Sequence, residues 1–173
     1  ESGAAVAVVR DGIVEVDHSV GTRDGESPWT PETLTMTFSV AKPFAALAFL
    51  DAVRVGALTL DQPVTTVWPA FGRHGKGGTT MRHLRAHQAG LPAFPEAASS
   101  IEYDDREALV ELLADAVPVH EPGTAVAEHA LTYGHLLDEV LRRATGTPLA
   151  ERFASIASDG GWDLHLQVRD HDL

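Results

Sequence analysis

The opening segment, "GAAVAVVRDGIVEVDHSVG" (residues 3–21), constrains the fold more than any other. A β-branched run from Ala4 to Val9 is followed by Asp11-Gly12, a strong two-residue hairpin signal. Ile13 to Asp17 then alternates in part, as a second strand does. A hairpin alone is marginally stable, because sheets ordinarily need three or more strands. Nothing downstream reads as a clear third strand. Either the hairpin packs on helices alone, or its partner strands lie outside this sequence.

The remainder reads as mostly helical. "TRDGESPWTPET" has loop chemistry, and "LTMTF" is a short extended stretch. From about Ser39 to Val55 the pattern becomes helical, with Phe44, Leu47, Ala48, Leu50 and Val53 as the apolar face and Gly56 as the stop. "ALTLDQPVTTVWPAFGRHGKGG" is irregular, and its "GRHGKGGTT" reads as a surface turn because it lacks the phosphate-loop spacing. Thr80 caps a short helix over "MRHLRAHQ", closed by Gly90 and Pro92. Asp104 or Asp105 starts "REALVELLADAV", which Pro118 ends. A longer helix runs from about Leu131 to Ala144, with Leu131, Leu136, Leu137, Val140 and Leu141 facing the core. Thr147-Pro148 caps a last helix reaching about Ala157.

Composition narrows the function. The chain has 173 residues, 44% of them hydrophobic, so a real core is expected. A net charge of −12 argues against nucleic acid and against anionic membrane surfaces. There is no cysteine, which removes disulfides and thiol nucleophiles. The N-terminus lacks a signal peptide's basic and apolar regions, which favours a cytoplasmic protein and leaves a secreted form open. The oligomeric state is not readable. No metal-ligand spacing is present: His165 and His171 are six apart without helical pairing, and "DLHLQVRDHDL" reads as a solvated tail.

The chemistry centres on "TFSVAKPFAALAFL". Ser39 and Lys42, three apart at a helix start, share one face, with Cβ atoms about 5–6 Å apart. A neutral lysine can take the serine proton and create a nucleophile. Burial against Phe38, Phe44 and Leu47 would lower its pKa, and the positive helix end would stabilise an oxyanion. The plain alternative is a serine that merely starts a helix, beside an unrelated lysine.

Three ordered words decide the weight. "PWTPETLTMTFSVAKPF", "TTMRHLRAHQAGLP" and "EPGTAVAEHALTYGHLLDEVLRRATGTPLAERF" resemble the serine beta-lactamase and penicillin-binding-protein-like superfamily, specifically its class C-like branch. That branch includes family VIII esterases, D-aminopeptidases and acyltransferases. The resemblance implies an α+β fold of beta-lactamase/transpeptidase type, an antiparallel sheet packed with helices. It implies a single domain over 1–173, with a hairpin at 1–20 and a mainly helical part at 39–157. It also implies Ser39 as acylated nucleophile, Lys42 as its base and the Ser39 N–H as one oxyanion donor. His87, Gly90 and Pro92 belong to a structural word. No cofactor is implied, and the partners are small esters, amides or beta-lactams.

Two departures stand out. Where the family carries a tyrosine after P-G-T, this chain has Glu128, then His129; Tyr133 aligns inside the next helix. Glu128 is expected either to carry protons as a catalytic residue or to be a solvated loop carboxylate in an impaired site. His129 is a candidate substrate-binding residue. The family's later K-T-G or H-x-G-like word has no match after Glu128, so the domain is expected to be truncated, with its C-terminal strands missing. The competing functions are therefore a serine hydrolase or acyltransferase and a catalytically impaired domain that binds or regulates; a metal-dependent hydrolase lacks support.

Overall fold

The structure, a computed structural model, describes residues 2–168. It divides into two compact units, Glu1–Phe38 and Ser39–Leu173.

The first unit is built on an antiparallel hairpin of β1 (Gly3–Arg10) and β2 (Ile13–Gly21), the two-stranded sheet found among the described residues. Asp11 and Gly12 take φ of 51° and 79°, the paired positive values that a tight hairpin turn requires. Gly3 pairs with Gly21, and the register shifts between Val8 and Val9: Val8 pairs with Val16 and Val9 with Val14, which leaves Glu15 bulged out. Asp24 closes the following loop: its Oδ1 accepts the Glu26 and Ser27 amides at 2.9 and 2.6 Å. "LTMTF" forms no strand.

The second unit is helical. A 3-10 turn over Phe38–Val40 leads into α1 (Ala41–Arg54). Two 3-10 segments, Val64–Thr66 and Pro69–Gly78, precede α2 (Met81–Arg85). Then come α3 (Arg106–Asp115), α4 (Thr132–Thr145) and α5 (Leu149–Gly160). α1 packs on α4 and α5, and α3 packs on α4 and on the 69–78 segment. Phe49, Trp68, Phe71, Leu113, Leu136, Leu137 and Phe153 form the centre of one continuous core.

Several expectations need correction. The buried face of α1 is Ala45, Ala48, Phe49 and Ala52, whereas Leu47 and Leu50 are exposed. The helix is apolar nearly all round, so periodicity alone could not choose its face. Leu131 is exposed and lies before α4. Thr147 does not cap α5; the Leu149 amide is taken by Asp138 Oδ1 at 2.8 Å, from the neighbouring helix. "GRHGKGGTT" is not a surface turn throughout, since Lys76 is completely buried. Its ammonium donates to the carbonyls of Ala114 and Ala116 at the end of α3, where a cation complements the helix dipole. The tail is not wholly solvated either: Leu164 and Leu166 pack partly on the core, while His171 lies outside the described residues.

Candidate active site

Ser39 sits in the 3-10 turn that enters α1, and Lys42 in the first turn of that helix. Phe38, just before the serine, has φ 49°, a strained value for a non-glycine residue, so the chain turns sharply there. Lys42 Nζ donates to Ser39 Oγ at 2.8 Å. This is direct hydrogen-bonding range for proton transfer. The Lys42 side chain is 19% exposed. Phe38 and Leu47 are themselves exposed, so they do not supply the shelter expected of them.

Glu128 reaches the same pair. Its Oε1 lies 3.8 Å from Lys42 Nζ, and its side chain is 69% exposed. A long, solvated ion pair of this kind is worth about 0–1 kcal/mol, far too little to immobilise the lysine charge by itself. The structure thus brings together Ser39, Lys42 and Glu128 from a helix start and a loop 86 residues beyond Lys42 in the numbering.

His129 does not join them as a substrate-binding group. It is fully buried. Its Nε2 accepts the Leu91 amide at 3.1 Å, and its Nδ1 lies 2.7 Å from the Ala127 carbonyl. Both ring nitrogens are therefore committed to backbone, with the proton on Nδ1. Burial, the larger cause, pushes its pKa down despite the Ala127 contact.

The loop carrying Glu128 hangs on the turn after α2. Val119 and Gly123 donate to the Gly90 and Gln88 carbonyls at 2.8 and 2.9 Å. Thr132 Oγ1 donates to the Leu91 carbonyl at 2.6 Å. A side chain at Gly90, whose φ is 75°, would meet the His120 carbonyl at 2.6 Å and Pro118 Cβ at 2.8 Å. The "HQAGLP" word is accordingly the hanger for the second wall of the site. His87 is its least obvious member: sequence reading leaves it structural, while its ring stacks on Tyr133 at 4.6 Å. Burial of Tyr133 pushes its phenol pKa up.

A family model described as Beta-lactamase matches residues 1–172. The chain is 36% identical over 146 residues to an esterase/beta-lactamase LipL of Mycobacterium tuberculosis, covering 83% of this chain and 34% of that protein. It is 32% identical over 167 residues to an esterase EstB of Burkholderia gladioli, covering 86% and 42%. A penicillin-binding protein homologue from Caulobacter crescentus superposes with a TM-score of 0.86 at 36% identity, over 99% of this chain and 47% of that one. The chain thus spans between a third and a half of the length of these relatives.

Proposed function

The chain belongs to the Beta-lactamase family, and from that premise we propose that it supplies the nucleophile of a serine hydrolase acting on small ester, amide or beta-lactam carbonyls. Lys42, in its neutral form, takes the proton from Ser39 Oγ. The oxygen attacks the carbonyl carbon, and the resulting oxyanion is held by backbone N–H groups, that of Ser39 among them. The tetrahedral intermediate collapses, the leaving group departs with a proton returned from the Lys42–Glu128 pair, and an acyl-serine remains. Water, or another acceptor in an acyl transfer, attacks the ester and regenerates Ser39. The observation that carries this reading is the 2.8 Å contact between Lys42 Nζ and Ser39 Oγ. The names of the relatives, esterase and beta-lactamase, support the substrate class.

A second reading has one specific observation in its favour. Glu128 is a carboxylate 3.8 Å from Lys42 Nζ, so it competes with Ser39 Oγ for the same ammonium group. In that reading the site binds carbonyl ligands without turning them over.

Labelling separates the two. A fluorophosphonate or a fluorescent penicillin is expected to add to the intact chain at Ser39, visible as a mass shift that Ser39→Ala abolishes. Glu128→Gln is expected to slow acylation by about 10²-fold if the carboxylate moves protons. Glu128→Gln labelling as fast as the parent removes Glu128 from the reaction, whereas faster labelling shows that the carboxylate restrains Lys42, as the second reading holds. Absence of any adduct on the parent refutes the hydrolase.

A further inference from the structure

His87 grips the chain on both sides of Glu128. Its carbonyl accepts the Ala127 N–H at 3.0 Å, and its Nδ1 accepts the His129 N–H at 3.0 Å. Ala127 and His129 are the two residues that flank Glu128. To reach both, His87 takes φ 59°, a left-handed conformation that costs a non-glycine residue on the order of 1 kcal/mol. Its ring is clamped face to face with Tyr133, at an interplanar angle of 17°. From the other side, His129 ties Ala127 and Leu91 together through its own two nitrogens. The backbone on either side of Glu128 is pinned, while the Glu128 side chain itself reaches out to Lys42.

We propose that His87 is a positioning residue that sets the Glu128 carboxylate opposite Lys42. The inference rests on the reading of Ser39, Lys42 and Glu128 as the reactive group. It requires Nδ1 of His87 to be an unprotonated acceptor. The groups facing the ring agree with that: burial is the main cause lowering its pKa, the Lys42 cation on α1 adds to it, and Glu128 opposes. His129 from the same loop presents only its amide to the ring nitrogen, and Tyr133 from α4 presents its ring face.

The test compares His87→Asn with His87→Gly in the intact chain. Asparagine puts Oδ1 in place of Nδ1 and tolerates positive φ; glycine keeps the backbone and deletes the acceptor. In His87→Gly the His129 amide is expected to exchange about tenfold faster, the loss of one hydrogen bond of ordinary strength. The proton nuclear Overhauser contact between the Lys42 and Glu128 side chains is expected to vanish. Ser39 labelling is expected to slow about tenfold or more, with an altered pH profile. His87→Asn is expected to restore all three. A folded His87→Gly that keeps the Lys42–Glu128 contact and the parent's labelling profile overturns the proposal, and so does an asparagine variant that restores nothing. Should the parent never label, the hydrolase reading fails, and amide exchange and the Overhauser contact still decide the positioning role. Imidazole nitrogen shifts of the parent provide a check without any substitution: a proton on Nδ1 of His87 at neutral pH refutes it.

Discussion

At the scale of single residues, Lys42 meets Ser39 at 2.8 Å within one helix start, while the groups around them come from segments far apart in the chain. Ser39 and Lys42 were legible because three-residue spacing at a helix start puts two side chains on one face whatever the tertiary fold. Glu128 was legible through the word around it. The commitment of His129 to Leu91 and Ala127 was not, because it depends on contacts between segments far apart in the chain. Lys76 was hidden for the same reason: nothing local says that a glycine-flanked lysine will be buried against the end of α3. Its burial has a measurable consequence. Desolvation holds the Lys76 pKa below its ordinary 10.5, with Asp115 opposing and Arg73 reinforcing. A folded-state pKa below the unfolded one means that the folded chain releases this proton first. The cost of burying the ammonium is fully present below the folded pKa and is relieved as pH rises toward the unfolded value. Thermal midpoints of the parent and of Lys76→Met, compared from pH 7 to 10, are expected to diverge in the parent's favour as pH rises. A constant difference across that range would show that Lys76 does not titrate early.

At the scale of elements, local signals placed the helices well and their faces less well. Thr80 caps α2 in a reciprocal box with His83, Asp105 caps α3, and Gly146 ends α4 in the left-handed conformation, all as local chemistry dictates. Faces failed where an element is apolar all round, as in α1, or where the capping group comes from another helix, as Asp138 does for α5. The hanger between the turn after α2 and the 119–132 loop gives this scale its own prediction. Gly90→Ala introduces a side chain at φ 75° against the His120 carbonyl and Pro118. Strain and overpacking together are expected to cost about 2–4 kcal/mol in denaturant unfolding. Gly134 is the control. It lies in the first turn of α4 with open space around its would-be Cβ, so Gly134→Ala is expected to stabilise by about 0.4–1 kcal/mol. Equal effects at the two positions would mean that the loop is not held by close contact at Gly90.

At the scale of the whole molecule, the two units differ in what each can bury. Every residue of the continuous core belongs to Ser39–Leu173. In the hairpin unit, Val6, Val9, Ile13, Val14 and Val20 are all more than half exposed. A two-stranded sheet has only its own ladder and turn to stabilise it, whereas α4 carries Leu136, Leu137, Val140 and Leu141 in full burial. Amide exchange should report this inequality directly, since local opening follows buried apolar contact. Amides of Leu137 and Leu141 are expected to be protected by about 10³-fold or more, near the global unfolding limit. Those of Val6, Val8 and Val16 are expected to be protected about tenfold or less. Strong protection of the hairpin would mean that its exposed valines are covered by something beyond β1 and β2. A dilution series would then identify the cover: protection that falls with protein concentration requires a second copy, and protection independent of concentration requires the same chain. The sequence already raised the question, because a hairpin with valines on both faces either packs on helices or pairs with strands outside this sequence.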